Sequence, residues 1–331
     1  MRAIVLEEHG GPEVLREREL PSPKPGRHQV LVEVHATSVN PVDAKIRRGG
    51  GAAREMPIVL GYDASGIVRA CGPDVEGWRE GDAIYGCPNL FGPGANAELV
   101  LLDARAAASK PASIDDATAA CLPLVGLTAW EALHDRARIQ AGQTVLVHAG
   151  AGGVGHVAVQ LARLHGCRVI TTAGRPESIA FCRHTLGADE VIDYAKDDFA
   201  AGVRDLTKGR GVDVVFDTVG EETFRHSIDC VTPGGQLVTI LGSTPGDRAP
   251  LLLYRSITVH YEFMGARVAN DLDPGHQGKI LSSLARLVDR GLLRLHVSAR
   301  VPLERVADAH RQIEMGRTIG KVAVQVRTTE S

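Results

Sequence analysis

The sequence predicts an α/β fold with two domains, one rich in β-strands and one built on a doubly wound parallel sheet. Two observations support this prediction. The first 120 residues contain short apolar or alternating stretches separated by turn signals such as PSPKPG and CGPDVEGWREGD. From about Gln143 onward, apolar strand patterns alternate with helical patterns, which is typical of a parallel sheet covered by helices on both faces.

The strands of the first part are predicted to form a compact, barrel-like domain, and they read RAIVLEE, QVLVEVHATSV, SGIVRACG, GDAIYGC and AELVLLD. The strands of the second part read TVLVHAG, CRVITTAG, EVIDY, VDVVFDTVG, GQLVTILG and SITVHYEF. A helix (GKILSSLARLVDRGLL) and a last strand (GKVAVQV) follow, and we expect them to return to the first domain. The predicted boundaries are 1–121 with 266–331 for one domain and 122–265 for the other.

Composition excludes several classes of protein. The chain has 331 residues, 44% of them hydrophobic, and a net charge of −3 without a basic stripe, which argues against a general nucleic-acid binder. No apolar run approaches the roughly 18 residues of a membrane span, and MRAIVLEEHG is typical of a strand, not of a signal peptide. Six scattered cysteines without a CxxC motif favour a reduced, cytoplasmic setting.

A glycine-rich turn lies between the first strand and first helix of the second domain, in VLVHAGAGGVGHVAVQLAR. Gly150, Gly152 and Gly155 have the spacing that lets a backbone bend tightly and approach a diphosphate at a helix N-terminus. The alternative is a plain strand-to-helix turn. A second strand at Arg168–Thr172 completes a βαβ unit, and this context favours dinucleotide binding.

The end of the second strand bears on the choice between NADPH and NADH. In NAD-binding versions of this fold an acidic residue there binds the ribose hydroxyls, but residues 171–175 read TTAGR. Arg175 can pair with a 2′-phosphate, so the sequence favours NADPH. The alternative is that Arg175 is a solvated surface charge.

Nine stretches spread over essentially the whole chain form a pattern typical of one family: SVNPVDAKIRRG (38–49), GYDASGIV (61–68), GDAIYG (81–86), LPLVGLTAWEAL (122–133), HAGAGGVG (148–155), GADEVIDY (187–194), VDVVFDTVG (212–220), PGGQLVTILG (233–242) and GKVAVQV (320–326). In these stretches the sequence resembles the medium-chain dehydrogenase/reductase superfamily, and within it the zinc-independent quinone oxidoreductase group. It implies a GroES-like β-rich catalytic domain formed by both termini, a Rossmann doubly wound parallel-sheet domain, and hydride transfer in a cleft between them.

The resemblance also indicates which residues stand where zinc-dependent members have their ligands. These positions hold Asn40, Tyr62 and, approximately, Leu124, whereas zinc needs thiolate or imidazole ligands. Cys121 lies three residues before Leu124 in a predicted helix, and the four-cysteine structural lobe is missing. We therefore expect no zinc, and we expect Cys71 and Cys87 to be buried or inert thiols.

Without a Lewis acid, a conjugated acceptor is easier to reduce than a simple ketone. The expected activity is therefore NADPH-dependent reduction of a quinone or an α,β-unsaturated carbonyl compound. By resemblance the cofactor contacts are Asn40, Thr128, Gly152, Gly153, Val154, Gly155, Thr172, Arg175, Tyr194, Gly242, Ser243, Phe263, Met264 and Lys321. Asn40, Thr128 and Lys321 are also the candidates for catalytic roles.

Several of these residues have simpler interpretations. Thr128 could cap a helix, Tyr194 could be an ordinary surface residue, and Lys321 could be a solvated charge. Phe263 and Met264 could belong to the core.

The sequence departs from the quinone oxidoreductase pattern in two places. Residues 44–56 contain no aromatic residue where members often carry tyrosines, and this favours enones slightly over quinones. The usual lysine for the 2′-phosphate is Ser178, so the NADPH prediction depends on Arg175. Nearby, Asp43 and Lys45 could form a polar pair beside the cleft, but we expect a surface ion pair. Asp63 is expected to tie the Asn40 loop to the barrel.

The histidines do not suggest a catalytic relay. We expect His148 to have a core or supporting role, and His134, His156 and His165 to lie on helix faces. Two alternative functions remain open at this stage: an alcohol dehydrogenase with an unconventional metal site, and a cofactor-binding sensor or structural protein with little turnover. By resemblance the chain forms a homodimer through the edge strand at residues 256–263.

Overall fold

The chain divides into two units, Met1–Leu127 with Gly265–Ser331, and Thr128–Met264. The computed structural model describes residues 1–51 and 55–327. Residues 52–54, part of the aromatic-free segment noted above, lie outside the described residues. Residues 122–127, predicted to lie in the second domain, belong to the first unit, where a Cβ on Gly126 would lie only 2.7 Å from a methyl group of Leu284.

The first unit contains most of its strands before residue 110. Its strands in the N-terminal part are β1 (Arg2–Leu6), β2 (Leu15–Glu19), β3 (Gln29–Val39), β4 (Ile58–Val59), β5 (Ala64–Cys71), β6 (Ala83–Gly86), β7 (Leu99–Asp103) and β8 (Ala108–Ser109). The helices of that part are α1 (Pro41–Arg47), α2 (Asp116–Ala119) and the beginning of α3 (Pro123–Trp130). Helix α3 continues into the second unit, where a π-helical turn follows at Glu131–Arg136. Asp115 caps α2, since its side chain accepts a hydrogen bond from the Thr118 N–H.

The second unit has the predicted alternation of strands and helices. Its elements are β9 (Thr144–Val147), α4 (Gly153–Leu164), β10 (Arg168–Ala173), α5 (Pro176–Ala180), β11 (Glu190–Asp193), α6 (Phe199–Leu206), β12 (Val212–Asp217), α7 (Glu221–Cys230), β13 (Val231–Thr239), α8 (Ala249–Tyr254) and β14 (Thr258–Tyr261). In the described chain these strands form one parallel sheet in the order β11-β10-β9-β12-β13-β14. Numbered from β9, this is the 3-2-1-4-5-6 order of a Rossmann fold.

The C-terminal elements are α9 (Ala266–Ala269), α10 (Pro274–Asp289), β15 (Val297–Pro302), α11 (Val306–Glu314) and β16 (Lys321–Gln325). β16 pairs antiparallel with β3, so the C-terminal strand lies in the same sheet as strands of the N-terminal part. The sheet order is β15-β16-β3-β5-β6-β8, with β7 also paired to β3, and β2-β1-β4 forms a smaller sheet. The register aligns Val322 with Val39, so Lys321 lies beside Asn40, the residue that follows β3.

The core of the second unit lies on the faces of its sheet. Leu146, Ile170, Val215 and Leu237 come from four neighbouring strands and pack with Phe224 of α7. Their continuous apolar sequences are typical of parallel strands buried on both faces. Among the described residues no helix is both long and apolar enough to cross a bilayer.

Candidate active site

The glycine-rich turn has the close packing that its sequence predicts. A Cβ on Gly155 would lie 2.9 Å from the carbonyl carbon of Ala149, and a Cβ on Gly150 would lie 3.0 Å from the Cβ of Thr171. Ala149 has a φ of 49°, which bends the chain sharply after β9. Only residues without a side chain fit where helix α4 crosses this bend.

Helix α4 begins at Gly153 with no side-chain cap from the described residues and no acidic residue in its first turn. Its first N–H groups have no partner within the helix, and the helix dipole adds partial positive charge there. An anion fits such an N-terminus, and the absence of a Cβ on Gly152 and Gly155 keeps the backbone accessible. The turn therefore fits the diphosphate of a dinucleotide.

A chain of buried hydrogen bonds through Thr172, His148 and Ser227 supports the glycine-rich turn. The Thr172 hydroxyl accepts a hydrogen bond from the Ala149 N–H at 3.0 Å and lies 3.3 Å from Nδ1 of His148. Nε2 of His148 lies 2.8 Å from the Ser227 hydroxyl, which itself donates to the Thr223 carbonyl oxygen. Ser227 must therefore accept from Nε2–H, and Nδ1 of a neutral His148 is then free of hydrogen and accepts from the Thr172 hydroxyl.

Burial lowers the pKa of His148 to about 4, which agrees with a neutral imidazole. His148 thus has the supporting role expected of it. Of the other three histidines, His156 is fully buried within α4, with Nδ1 3.0 Å from the Gly152 carbonyl oxygen.

Arg175 and Tyr194, two residues predicted for the adenosine end of a cofactor, follow the neighbouring strands β10 and β11. The Arg175 guanidinium donates to the Ser178 hydroxyl at 3.3 Å. The Tyr194 ring is 58% exposed, and a Cβ on Gly174 would lie 2.6 Å from its Cζ, so the ring covers this glycine. Arg175, Ser178 and Tyr194 therefore border one region at the carboxyl end of the sheet.

The carboxyl ends of β12 and β13 form the other part of this edge. Asp217 is fully buried and accepts hydrogen bonds from the N–H groups of Val219 and Gly220 and from the Thr239 hydroxyl. The Ser243 hydroxyl accepts from the Glu221 N–H at 3.0 Å. Asp217 was not among the predicted site residues, although an acidic residue at the end of a buried strand is a signal that could have identified it.

The remaining predicted residues of the second unit differ in exposure. A Cβ on Gly242 would meet no atom within 4 Å, so space is open there. Met264 is buried and Phe263 is half-exposed, so only Met264 has the exposure of a core residue. Thr128 is buried in the interior of α3, so it does not cap that helix.

In the first unit, Asn40, Asp63 and Lys321 form a buried polar cluster. The Lys321 ammonium donates to the Val39 carbonyl oxygen at 3.2 Å and to Oδ1 of Asn40, and it lies 3.5 Å from Oδ2 of Asp63. Nδ2 of Asn40 donates to Oδ2 of Asp63 at 2.7 Å. Lys321 is 3% exposed, so it is not a solvated charge.

Asp63 joins this cluster to the rest of the first unit. Its carboxylate also accepts the Ser38 hydroxyl at 2.5 Å and the Leu124 N–H at 2.7 Å. These contacts tie the Asn40 loop to strand β3 and helix α3, in the supporting role expected for Asp63.

The prediction of an ion pair between Asp43 and Lys45 is wrong. Asp43 is buried, and its carboxylate accepts hydrogen bonds from the backbone N–H of Asn40 at 2.7 Å and of Gly61 at 2.9 Å. Lys45 is exposed, because residues two apart on a helix face different directions. Burial raises the pKa of Asp43 to about 6.

The residues at the predicted metal-ligand positions do not fit a zinc ion. Leu124 has an apolar side chain without a ligand atom, and Tyr62 is a fully buried phenol. Oδ1 of Asn40 faces the positively charged Lys321. Within residues 1–51 and 55–327 no group of three His, Cys, Asp or Glu side chains could hold a metal ion.

The structure differs from the sequence prediction at two cysteines, Cys121 and Cys71. Cys121 lies in the turn between α2 and α3, and its thiol donates to the Ala117 carbonyl oxygen at 3.3 Å. Cys87 is buried, but Cys71 is exposed.

Comparisons with known proteins agree with this fold. The family model for the alcohol dehydrogenase GroES-like domain matches residues 26–112, and that for zinc-binding dehydrogenases matches residues 186–324. A 2-haloacrylate reductase from Burkholderia sp is 32% identical over 97% of this chain and 98% of its own length. A quinone oxidoreductase from Pseudomonas aeruginosa is 33% identical over 98% of this chain and 99% of its own.

A solved structure shows the same architecture. The crystal structure of Escherichia coli quinone oxidoreductase complexed with NADPH has a TM-score of 0.89 and 29% identity, covering 98% of this chain and all of that one. Together with these relatives, the fold and the glycine-rich turn identify a nicotinamide-dependent oxidoreductase. The chain belongs to the medium-chain dehydrogenase/reductase superfamily, in its quinone oxidoreductase group.

Proposed function

We propose that this enzyme is a zinc-independent, NADPH-dependent reductase of quinones or α,β-unsaturated carbonyl compounds. One observation carries the proposal. The chain combines a turn that fits a dinucleotide with Asn40, Tyr62 and Leu124 at positions where zinc-dependent members have metal ligands. An acceptor reduced without a Lewis acid must itself delocalise the negative charge that develops on its oxygen.

The preference for NADPH rests on Arg175. Its guanidinium points to the Ser178 hydroxyl after β10, where no carboxylate occurs in residues 171–175. A guanidinium binds a phosphate through charge-assisted hydrogen bonds, and a carboxylate at the same place would repel it. The half-exposed Tyr194 ring beside Gly174 offers an apolar surface to the adenosine.

The other proposed contacts follow the cofactor from the diphosphate to the nicotinamide. We assign the diphosphate to Gly152, Gly153, Val154 and Gly155, with Thr172 supporting the turn, and the nicotinamide end to Asn40, Thr128, Gly242, Ser243, Phe263 and Met264. Lys321 joins this group through its hydrogen bond to Asn40. When bound, the reduced nicotinamide supplies the hydride, and the residues of the chain orient the reactants and stabilise the developing charge.

The names of the relatives support a conjugated acceptor. One relative is a 2-haloacrylate reductase and another is a quinone oxidoreductase. A haloacrylate is an alkene conjugated to a carboxylate, and a quinone is a conjugated diketone, so both spread negative charge after hydride addition. The lack of aromatic residues in 44–56 favours small enones over large flat quinones.

A panel of acceptors tests this proposal. The protein, with and without EDTA treatment, is mixed with NADPH or NADH and a naphthoquinone, a straight-chain enone or an unactivated ketone, and loss of absorbance at the cofactor band is followed. We expect NADPH-selective turnover of the quinone or enone and none of the ketone. Turnover of the ketone that EDTA abolishes would contradict the proposal, and so would an absence of turnover with every acceptor despite NADPH binding.

We also propose a homodimer through strand β14. It lies at the edge of the described six-stranded sheet, and nearby Leu253 and Tyr254 are 79% and 81% exposed. An unpaired edge strand next to exposed apolar side chains is a surface that pairing with a second copy would cover. Light scattering should give a dimer mass for the wild type and a monomer mass for a Val259→Pro variant, since proline removes an edge N–H. A monomeric wild type would contradict the proposal.

A further inference from the structure

The Lys321 side chain is unusual because its ammonium group is buried and fully hydrogen-bonded. An ammonium has three N–H donors. Three acceptors surround it: the Val39 carbonyl oxygen at 3.2 Å, Oδ1 of Asn40, and Oδ2 of Asp63 at 3.5 Å. The group therefore has no donor left over for a direct contact with a cofactor or substrate in this arrangement.

The same contacts fix the orientation of the Asn40 amide. Only the amide oxygen can accept from an ammonium, and only the amide nitrogen can donate to a carboxylate. Oδ1 faces Lys321 and one N–H of Nδ2 is bound to Asp63. A flipped amide would place its N–H donors against the ammonium and its oxygen against the carboxylate. The second N–H of Nδ2 is then a donor of fixed direction.

The backbone around Asn40 is held as firmly as its side chain. Its N–H donates to Asp43, whose other oxygen accepts from the Gly61 N–H. Asp63 meanwhile binds Ser38 on one side and the backbone of Leu124 on the other. Lys321 is the cation that pairs with Asp63 in this cluster, and both side chains are buried.

We propose that Lys321 is a positioning residue whose ammonium replaces a metal ion as the fixed cation of this cluster and holds the Asn40 amide with Nδ2 as its donating atom. The position at which zinc-dependent members have their first ligand is thereby occupied by an amide bound to an internal cation. A ligand group that contacts the Asn40 side chain must be a hydrogen-bond acceptor. The inference rests on the proposed function only in assuming that Asn40 contacts the cofactor.

A double-mutant cycle between positions 40 and 321 tests the proposal. Lys321→Met removes the charge, Lys321→Arg keeps it, and Asn40→Ala removes the amide. NADPH affinity is measured by fluorescence without turnover, and kcat and KM are measured with the acceptor panel. We expect Lys321→Met and Asn40→Ala each to lower kcat/KM by about 10- to 100-fold. Because Lys321 acts through Asn40, the double variant should match the worse single variant within about twofold.

The controls separate positioning from a general effect on stability. Lys279→Met removes the same charge from an exposed site in α10 and should leave every value unchanged. If Lys321→Met fails to fold because Asp63 is left unpaired, Lys321→Met with Asp63→Asn removes both charges. That variant should fold and still show the loss, and Lys321→Arg should retain more activity than Lys321→Met. Wild-type kinetics in the folded variant that combines Lys321→Met with Asp63→Asn would overturn the proposal. A double variant whose loss in kcat/KM equals the product of the two single losses would also overturn it.

A measurement without cofactor keeps this inference separate from the proposed reaction. In protein labelled with ¹⁵N-asparagine, the side-chain amide signal of Asn40 is identified by its loss in Asn40→Ala. We expect it to shift in Lys321→Met and to stay in place in Lys279→Met. An unmoved signal would overturn the positioning role even if the enzyme is active. A shifted signal in a protein that reduces no acceptor would support that role and refute the proposed reaction.

Discussion

Replacing Gly155 with alanine would move the start of helix α4 away from the turn after β9. A Cβ at this position would lie 2.9 Å from the Ala149 carbonyl carbon and 2.9 Å from Cα of Gly150, whereas ordinary contacts begin at 3.4 Å. The main chain must therefore yield by at least about 0.5 Å (3.4 − 2.9), because the atoms in contact are backbone atoms that cannot rotate away.

The consequence should be a loss of cofactor affinity. The N–H groups of the first turn of α4 are the donors that suit a diphosphate, and a hydrogen bond to a charged group contributes about 1.5–3 kcal/mol. Misplacing one such donor should raise the dissociation constant for NADPH by about 10- to 100-fold.

The assay is a fluorescence titration with NADPH, alongside thermal unfolding followed by circular dichroism. Gly202→Ala is the matched control, because Gly202 also lies in a helix, α6. Its Cβ would approach the terminal methyl group of the Ile192 side chain at 3.2 Å and would meet no backbone atom at a shorter distance. It should bind NADPH like the wild type. An unchanged affinity in folded Gly155→Ala protein would refute the role given to this turn.

Three further predictions follow from single residues. Arg175→Ala should weaken NADPH binding by about 10- to 100-fold and NADH binding by about twofold or less. Arg183→Ala is the control, because Arg183 is an exposed residue of the same segment. Equal losses of affinity for both cofactors would count against a 2′-phosphate contact. Since burial lowers the pKa of His148 to about 4, the unfolded chain binds more protons between about pH 6.5 and pH 4, so stability should fall by roughly 3 kcal/mol as pH drops through that window. In urea unfolding, the free energy of unfolding of His148→Asn should lack this dependence on pH. The variant is compared with the wild type at each pH, because the raised pKa of Asp43 changes stability in the opposite sense. The same pH dependence in both proteins would contradict a neutral His148. Ellman's reagent should modify one thiol in the native protein, Cys71, and six after denaturation, and Cys71→Ser should abolish the native reaction.

The features that sequence predicts best are those set by local pattern. The βαβ unit around Gly152 is encoded in one continuous stretch, and apolar runs such as VLV and VVF indicate the buried strands of the sheet. The observed parallel sheet and the tight packing of Gly155 agree with those signals.

Local sequence patterns do not predict the polar cluster of the first unit. Lys321 and Asn40 are 281 positions apart and meet only because β16 pairs with β3 in one particular register. Asp43 likewise contacts Gly61, so a pairing with nearby Lys45 was the wrong inference from spacing. Whether a polar residue is buried, and by which partner, depends on sheet register that sequence patterns leave open.

The measurement that tests the account most directly is the fate of the transferred hydrogen. The EDTA-treated enzyme is supplied with NADPH carrying deuterium on the transferable position of C4 and with an enone, and the product is analysed by mass spectrometry and NMR. Hydride transfer to a conjugated acceptor predicts one deuterium on the β-carbon of the product. A reduced product carrying the deuterium on its carbonyl carbon, or none at all, would contradict the account.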